Sequence, residues 1–138
     1  MNAVNGTTVQ NGAKRSYKLL IVDDSNIMRR RIERSQQFDE LEVVGAACNG
    51  LEAIELFKQT DPDLVTMDLT MPQMDGIECI EKLVELKPAI RILVISALSD
   101  KATAVDAMEK GANGFLNKPF TDRQLNEALA ELIKEQHY

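Results

Sequence analysis

Aromatic residues, cysteine and histidine are scarce in this 138-residue chain. It has no tryptophan, two tyrosines, four phenylalanines, two cysteines and one histidine. So few rings are poor equipment for stacking nucleic-acid bases. Because the single histidine, His137, stands next to the last residue, catalysis by a Ser-His-Asp triad and histidine-based zinc sites are disfavoured. Cys48 and Cys79 are not in CxxC spacing, so we predict reduced core thiols rather than a disulfide or a metal pair.

Positive charge and long apolar runs are also in short supply. Lys and Arg number 16 against 22 Asp and Glu, which gives a net charge of −6. This balance argues against nucleic acid as a partner, because phosphate binding needs a basic face. No apolar run approaches the ~20 residues that span a bilayer, and the polar N-terminus lacks the apolar segment of a signal peptide. We therefore expect a cytoplasmic protein without membrane insertion.

Composition indicates one folded domain preceded by a tail. Hydrophobic residues make up 44% of the chain and charged residues 28%, as in ordinary globular proteins. Residues 1–16 are rich in Asn, Gly and Thr and show no periodicity, so they are predicted to form a disordered N-terminal tail. Residues 17–138 are predicted to form a single domain.

Short apolar runs alternate with amphipathic stretches through this domain. Strands are predicted at 18–22, 41–47, 64–67, 90–95 and 114–116, and helices at 25–37, 51–59, 77–87, 101–110 and 122–135. The apolar runs are mostly continuous, which is typical of strands buried on both faces. Five successive strand–helix units predict an α/β fold with a five-stranded parallel sheet flanked by five helices.

Polar residues follow four of the predicted strands. Asp23 and Asp24 follow the first strand, Asp68 the third, Ser96 the fourth and Lys118 the fifth. The carboxyl ends of parallel strands form the edge where such sheets bind ligands. Two unit charges 4 Å apart repel by about 4 kcal/mol at an effective dielectric of about 20, so clustered carboxylates need a proton or a cation. Oxygen ligands alone favour a hard ion such as Mg²⁺.

These residue types suit phosphoryl transfer. Asp68 is the candidate nucleophile, since a carboxylate beside Mg²⁺ and a lysine can attack phosphorus and become an acyl phosphate. Lys118 can pair with Asp68 or with a phosphoryl oxygen as a point charge, and Ser96 can donate a hydrogen bond to the same oxygens. Each residue has an ordinary structural interpretation, because an Asp after a strand is usually a turn residue or a helix N-cap. Their joint placement at successive strand ends favours the functional interpretation.

Five stretches of the chain carry a family resemblance. They are LLIVDDSNIMRR (19–30), NGLEAIELF (49–57), PDLVTMDLTMPQMDGIECI (62–80), ILVISAL (92–98) and GANGFLNKPF (111–120). In these stretches, and in the spacing of the polar residues, the sequence resembles the CheY-like receiver domain of bacterial two-component response regulators over about residues 17–136. The resemblance implies a flavodoxin-like, doubly wound sheet with strand order 2-1-3-4-5, and makes residues 17–138 the receiver domain.

The resemblance also implies a role for each residue at the strand ends. Asp68 would accept a phosphoryl group from the phosphohistidine of a sensor histidine kinase or a histidine phosphotransfer protein. Mg²⁺ would be bound directly by Asp24, by Asp68 and by the backbone carbonyl of Thr70, with Asp23 acting mostly through a water. Binding in the millimolar range is expected. Lys118 would bind the phosphoryl group.

A conformational switch is implied as well. Ser96 would move toward the phosphoryl group, and Phe115, at the position of the switch aromatic, would pack inward. Phe115 has no hydroxyl, so burial alone would favour its inward state. The face formed by helix 4, strand 5 and helix 5 would change shape and be recognised by a downstream protein target. The Lys118–Pro119 bond would be cis.

The expected protein is a monomeric phosphoacceptor for signalling and not an enzyme, although it would support its own phosphorylation and slow self-dephosphorylation. Within the family it is most similar to stand-alone chemotaxis receivers. Alternatives are a phosphorelay intermediate and a receiver-like binding module that is not phosphorylated. A haloacid-dehalogenase-type phosphatase would need an acid at Thr70, and a flavodoxin-like FMN carrier would not place Asp23 and Asp24 beside the phosphate.

A cluster of arginines lies on the first predicted helix, at Arg29, Arg30, Arg31 and Arg34. We interpret it as a solvated basic face. A docking surface for an acidic kinase or phosphotransfer domain is the alternative.

Overall fold

The computed structural model describes residues 16–98 and 100–135. The predicted tail lies outside the described residues except for Ser16, and so does His137. Within the part of the chain that is described, no helix is long and apolar enough to cross a membrane.

Five strands alternate with five helices along the chain. The strands are β1 (Tyr17–Val22), β2 (Leu41–Ala47), β3 (Leu64–Met67), β4 (Arg91–Ser96) and β5 (Gly114–Asn117). The helices are α1 (Asn26–Ser35), α2 (Gly50–Thr60), α3 (Gly76–Leu86), α4 (Lys101–Glu109) and α5 (Asp122–Glu135). All strand pairs are parallel, in the order β2-β1-β3-β4-β5. The predicted fold class and strand order are therefore confirmed.

The sheet is buried on both faces by two separate apolar clusters. In β1, Leu20 and Val22 pack in one cluster with residues of α2 and α3. Leu19 and Ile21 point the other way and pack in the second cluster with residues of α1 and α5. Successive residues of a strand face opposite sides of the sheet, so a strand that is apolar at every position must be covered twice. This explains the continuous apolar runs of the sequence.

Side-chain caps fix where the helices begin, directly after the loops that follow the strands. The caps of the first four helices are Ser25, Asn49, Asp75 and Asp100, each accepting from a backbone N–H three residues later. Before α5, Thr121 and Gln124 form a capping box, with reciprocal bonds of 3.1 and 2.9 Å. Helix α1 ends at Ser35 instead of continuing to residue 37, because Gln36 is extended.

The loop after β3 returns onto the end of its own strand at Gly76. The Gly76 N–H donates to the Leu69 carbonyl at 3.0 Å. A Cβ on Gly76 would lie 2.4 Å from the Asp68 carbonyl oxygen and 2.6 Å from the Leu69 Cα. Only glycine fits this approach without moving the backbone that carries Asp68.

Candidate functional site

Three carboxylates converge at the carboxyl edge of the sheet. One oxygen from each of Asp23, Asp24 and Asp68 lies within 4.8 Å of the other two. This proximity follows from topology, since β1 and β3 are neighbours in the sheet. Asp23 and Asp68 are 1% and 2% exposed, whereas Asp24 is exposed. Two of the three charges are thus withdrawn from water and one faces it.

Backbone and side-chain bonds hold the acidic pair in place. The Asp23 N–H donates to the Ala47 carbonyl at 3.0 Å, which extends the pairing of β1 with β2 by one residue. The Asp23 Oδ1 accepts from the Ser25 N–H at 2.8 Å, and its carbonyl accepts from the Arg29 guanidinium at 2.6 Å. The first aspartate is therefore fixed on both its side chain and its backbone.

Lys118 reaches the cluster from the end of β5. Its Nζ lies 2.8 Å from Asp23 Oδ2 and 3.7 Å from Asp68 Oδ1. The sequence suggested Asp68 or a phosphoryl oxygen as the lysine's partner, and the shorter contact is instead with Asp23. The Lys118–Pro119 bond is cis, as the resemblance implies. Among the contacts of the described residues, the two buried carboxylates, Asp23 and Asp68, share this ammonium group.

Asp68 is the carboxylate least compensated by its surroundings. Its Oδ1 is buried and has no hydrogen-bond partner within the described chain. Burial raises the pKa of Asp68 to about 6, and the nearby charges of Asp23 and Asp24 act in the same direction. The Lys118 ammonium and a hydrogen bond from the Thr70 backbone N–H lower the pKa but do not overcome the burial. A buried carboxylate with a raised pKa is stabilised when a cation binds beside it or when its charge is neutralised.

The two predicted switch residues lie on neighbouring strands. Ser96 ends β4 and is fully buried; its Oγ accepts from the Leu98 N–H at 3.0 Å. Phe115 pairs with Val94 in the register of β4 and β5. It is half-buried and packs against the apolar cluster on the α2–α3 side of the sheet. Ser96 therefore belongs to the carboxyl edge itself, whereas Phe115 lies two residues back along β5 from the edge.

The interpretation of the arginine cluster as a solvated face is wrong for two of its members. Arg29 binds the Asp23 carbonyl, and Arg31 binds the Phe120 carbonyl at 2.5 Å; both side chains are half-buried. Arg30 and Arg34 are exposed, in keeping with the prediction. The sequence signal that could have found Arg29 is its position one to two turns after the acidic pair.

The donor set at this edge fits a hard cation. All its side-chain ligand atoms are carboxylate oxygens, and Asp68 contributes a buried oxygen that accepts no hydrogen bond within the described residues. Mg²⁺ is usually bound by one or two carboxylates together with waters and phosphate oxygens. The exposed Asp24 leaves this edge of the cluster open to water.

A five-stranded parallel sheet in this order, with acidic residues at its carboxyl edge, defines the CheY-like class of α/β domains. Residues 19–130 match the model of the response regulator receiver domain, and the chain belongs to that family. It is 41% identical over 117 residues to the chemotaxis protein CheY of Listeria monocytogenes, covering 85% of this chain and 98% of the relative.

Solved structures of the family superpose on the whole domain. The CheX–CheY–BeF3–Mg²⁺ complex from Borrelia burgdorferi gives a TM-score of 0.82 at 30% identity, covering 86% of this chain and 90% of the matched chain. The response regulator domain of Thermotoga maritima CheB gives 0.77 at 35% identity, covering 88% and 96%. The chain is thus similar to receivers from more than one kind of chemotaxis protein. Receiver domains of this family bind Mg²⁺ at an acidic cluster.

Proposed function

We propose that this receiver accepts a phosphoryl group on Asp68 from the phosphohistidine of a sensor histidine kinase or a histidine phosphotransfer protein. The observation that carries the proposal is the convergence of three carboxylate oxygens within 4.8 Å, with the Lys118 ammonium 2.8 Å from one of them. An ion pair that only stabilised the fold would not need three carboxylates for one lysine at the ends of the strands.

The chemistry follows from the position of each group. An Asp68 oxygen attacks phosphorus, and the P–O bond forms as the P–N bond to the donor imidazole breaks. The electron pair of the P–N bond stays on the ring, which leaves as neutral imidazole because the other nitrogen of the phosphohistidine already carries a proton. Lys118 stabilises the charge on the phosphoryl oxygens, and Ser96 donates a hydrogen bond to one of them. Asp23, Asp24, Asp68 and the Thr70 carbonyl would hold Mg²⁺, which when bound neutralises negative charge at the phosphoryl group.

The response is a population shift in the α4–β5–α5 face. Phosphorylation adds about −1.5 to −2 charges at the edge of the sheet. Ser96 and Lys118 follow the new oxygens, and Phe115 packs further into the core beside β4. The face already has unpaired apolar surface, since Val105 and Met108 of α4 are 46% and 43% exposed. A downstream protein that prefers the altered face stabilises it, in chemotaxis or a related pathway.

The test is a phosphorylation assay read by intact mass. The protein is incubated with a small acyl phosphate and Mg²⁺, and the gain of one phosphoryl group is followed with time. Asp68→Asn keeps the size and shape of the side chain but removes the nucleophile, so no gain is expected. Asp39→Asn is the matched control, because Asp39 is an exposed aspartate just before β2, at the opposite edge of the sheet from the cluster, and it should label like the wild type.

Labelling of Asp68→Asn to the wild-type extent would contradict the proposal. Absence of labelling in the wild type with excess donor, together with no response to beryllofluoride, would favour the receiver-like binding module. Transfer of the label onward to a histidine phosphotransfer protein would identify the phosphorelay intermediate.

A further inference from the structure

Lys118 is carried by a short segment whose support comes from another part of the fold. Only Pro119, Phe120 and Thr121 separate it from the start of α5. Its backbone N–H donates to the Ser96 carbonyl at 2.9 Å, which holds one side of the segment. Pro119 has no N–H to donate. The position of the ammonium group therefore depends on how the residues after Pro119 are held.

Arg31 of α1 contacts the same segment two residues after Lys118, at Phe120. Its Nη2 donates to the Phe120 carbonyl at 2.5 Å, and its guanidinium carbon lies 4.3 Å from the centre of the Phe120 ring. The same Nη2 is 3.5 Å from Asp122 Oδ1. Phe120 is 4% exposed, so these contacts are made against a fixed core residue. Charge-assisted hydrogen bonds and stacking of a partly desolvated guanidinium are among the stronger polar contacts.

In the described part of the chain, Arg31 makes its polar contacts with Phe120 and Asp122 and not with the three carboxylates, so it acts on the site through the segment that it binds. Arg29, two residues earlier on α1, binds the Asp23 carbonyl directly. Helix α1 thus contacts the backbone on both sides of the ion pair. Arg29 binds Asp23 itself, and Arg31 binds the segment that follows Lys118. A lysine cannot reproduce the planar, stacked geometry of the guanidinium.

We propose that Arg31 is a positioning residue for phosphoryl transfer: by binding the carbonyl and the ring of Phe120, it holds the Lys118 ammonium beside Asp23 and Asp68. This inference rests on the proposed function. Lys118 stabilises charge that develops on the phosphoryl oxygens, so a misplaced ammonium lowers the maximal rate. Binding of a small donor does not involve Arg31, and the half-saturating donor concentration stays the same.

The test compares two neighbouring arginines of α1. Arg31→Ala should lower the maximal rate of phosphorylation by a small acyl phosphate about three- to tenfold, with an unchanged half-saturating concentration. Arg30→Ala removes the same charge from an exposed position and should behave as the wild type. Arg31→Lys should fall between the two, because it keeps the charge and one donor but loses the stacking.

A second readout needs neither donor nor metal. Amide hydrogen exchange of Lys118 in Mg²⁺-free protein should speed up about tenfold in Arg31→Ala, while the amides of β1 keep their protection. Arg30→Ala should leave both unchanged. This pattern separates a local loss of support from global destabilisation.

Equal phosphorylation rates in Arg31→Ala and Arg30→Ala would overturn the positioning role, as would unchanged exchange at Lys118. A defect seen only with a kinase as donor, and not with the small acyl phosphate, would also overturn it and make Arg31 a docking residue. If the wild type takes up no phosphoryl group at all, the proposed function fails. The exchange experiment still decides whether Arg31 holds Lys118.

Discussion

Charged side chains are paired differently at the two edges of the sheet, the amino edge where the strands begin and the carboxyl edge where they end. At the amino edge, Lys87 Nζ donates to Asp61 Oδ1 at 3.0 Å and to the Pro62 carbonyl at 2.8 Å. The Lys18 backbone N–H donates to Asp63 Oδ2 at 2.8 Å. The hydrogen bond and charge of Lys87 lower the pKa of Asp61. Asp61 and Asp63 thus each have a donor close by, and both keep contact with water.

At the carboxyl edge, acids outnumber the base and two of them are buried. Asp68 has a buried oxygen that accepts no hydrogen bond from the described residues and a pKa raised to about 6. The charges of the amino edge are thus paired locally, whereas the carboxyl edge carries an electrostatic cost that a bound cation would relieve. Functional sites commonly retain such costs because the chemistry needs them.

The largest expected effect on stability comes from Asp68→Asn, which removes the buried charge. The pKa of Asp68 in the native state, about 6, lies above the ordinary value of 3.8, so the ionised side chain destabilises the native state. This destabilisation is fully present above about pH 6 and is absent below about pH 4. The variant should therefore gain about 3 kcal/mol at pH 7.5 without divalent ions, and nothing near pH 3.5. Urea unfolding at the two pH values measures this. A loss of stability at pH 7.5 would contradict it.

Gly76→Ala should have the next largest effect, in the opposite direction. The added Cβ meets backbone atoms of Asp68 and Leu69 at 2.4 and 2.6 Å, so the acceptor loop must shift. We expect a loss of about 2 kcal/mol or more in urea unfolding. Gly45→Ala is the control, since its Cβ meets only the ends of flexible side chains, Leu20 Cδ1 at 3.2 Å and Leu56 Cδ1 at 3.5 Å. Equal losses in both variants would show that close backbone packing does not define the carboxyl edge.

Magnesium should stabilise the protein by binding at the carboxyl edge and nowhere else. With a dissociation constant of about 1 mM, 10 mM Mg²⁺ adds about 1.4 kcal/mol to the free energy of unfolding. The gain should be absent in Asp24→Ala and kept in Asp39→Ala, because only the first removes a member of the cluster. Thermal unfolding with and without Mg²⁺ measures it. An equal gain in both variants would mean that the ion acts elsewhere.

Asp61→Asn at the amino edge should have the smallest effect. The Asp61 side chain is 75% exposed, so its attraction to Lys87 is screened by water and salt. Its lowered pKa favours folding only above the ordinary value of 3.8, and this benefit fades as the pH falls below that value. The urea midpoint at pH 7.5 in 0.15 M salt should not change measurably. A loss in the free energy of unfolding as large as that of Gly76→Ala would contradict the difference between the two edges.

The fold could be predicted almost completely from the sequence, because its signals are local. Continuous runs of Val, Ile and Leu indicate strands buried twice, and the structure places all five where they were expected, to within a residue or two at each end. Helix ends were less certain: α1 stops two residues early because Gln36 takes an extended conformation. The strand order came from the family resemblance and not from periodicity.

The residues that form the candidate site could be predicted from the sequence, but their pairwise contacts could not. Topology alone brings residues after parallel strands to one edge, so Asp23, Asp24 and Asp68 could be grouped from the sequence. Whether Lys118 lies closer to Asp23 or to Asp68 depends on distances of 2.8 and 3.7 Å, which the loop conformation sets. The same holds for Arg31, whose partner is 89 residues away along the chain.

The most direct test of the account is a carbon-13 NMR titration of the Asp68 carboxyl group. In protein free of divalent ions, we predict a pKa of about 6, the result of burial among like charges. With saturating Mg²⁺ the pKa should fall by about one unit or more, since a bound cation favours the ionised form. An ordinary pKa near 3.8 that does not respond to Mg²⁺ would contradict the claim that this edge is built to receive a cation and a phosphoryl group.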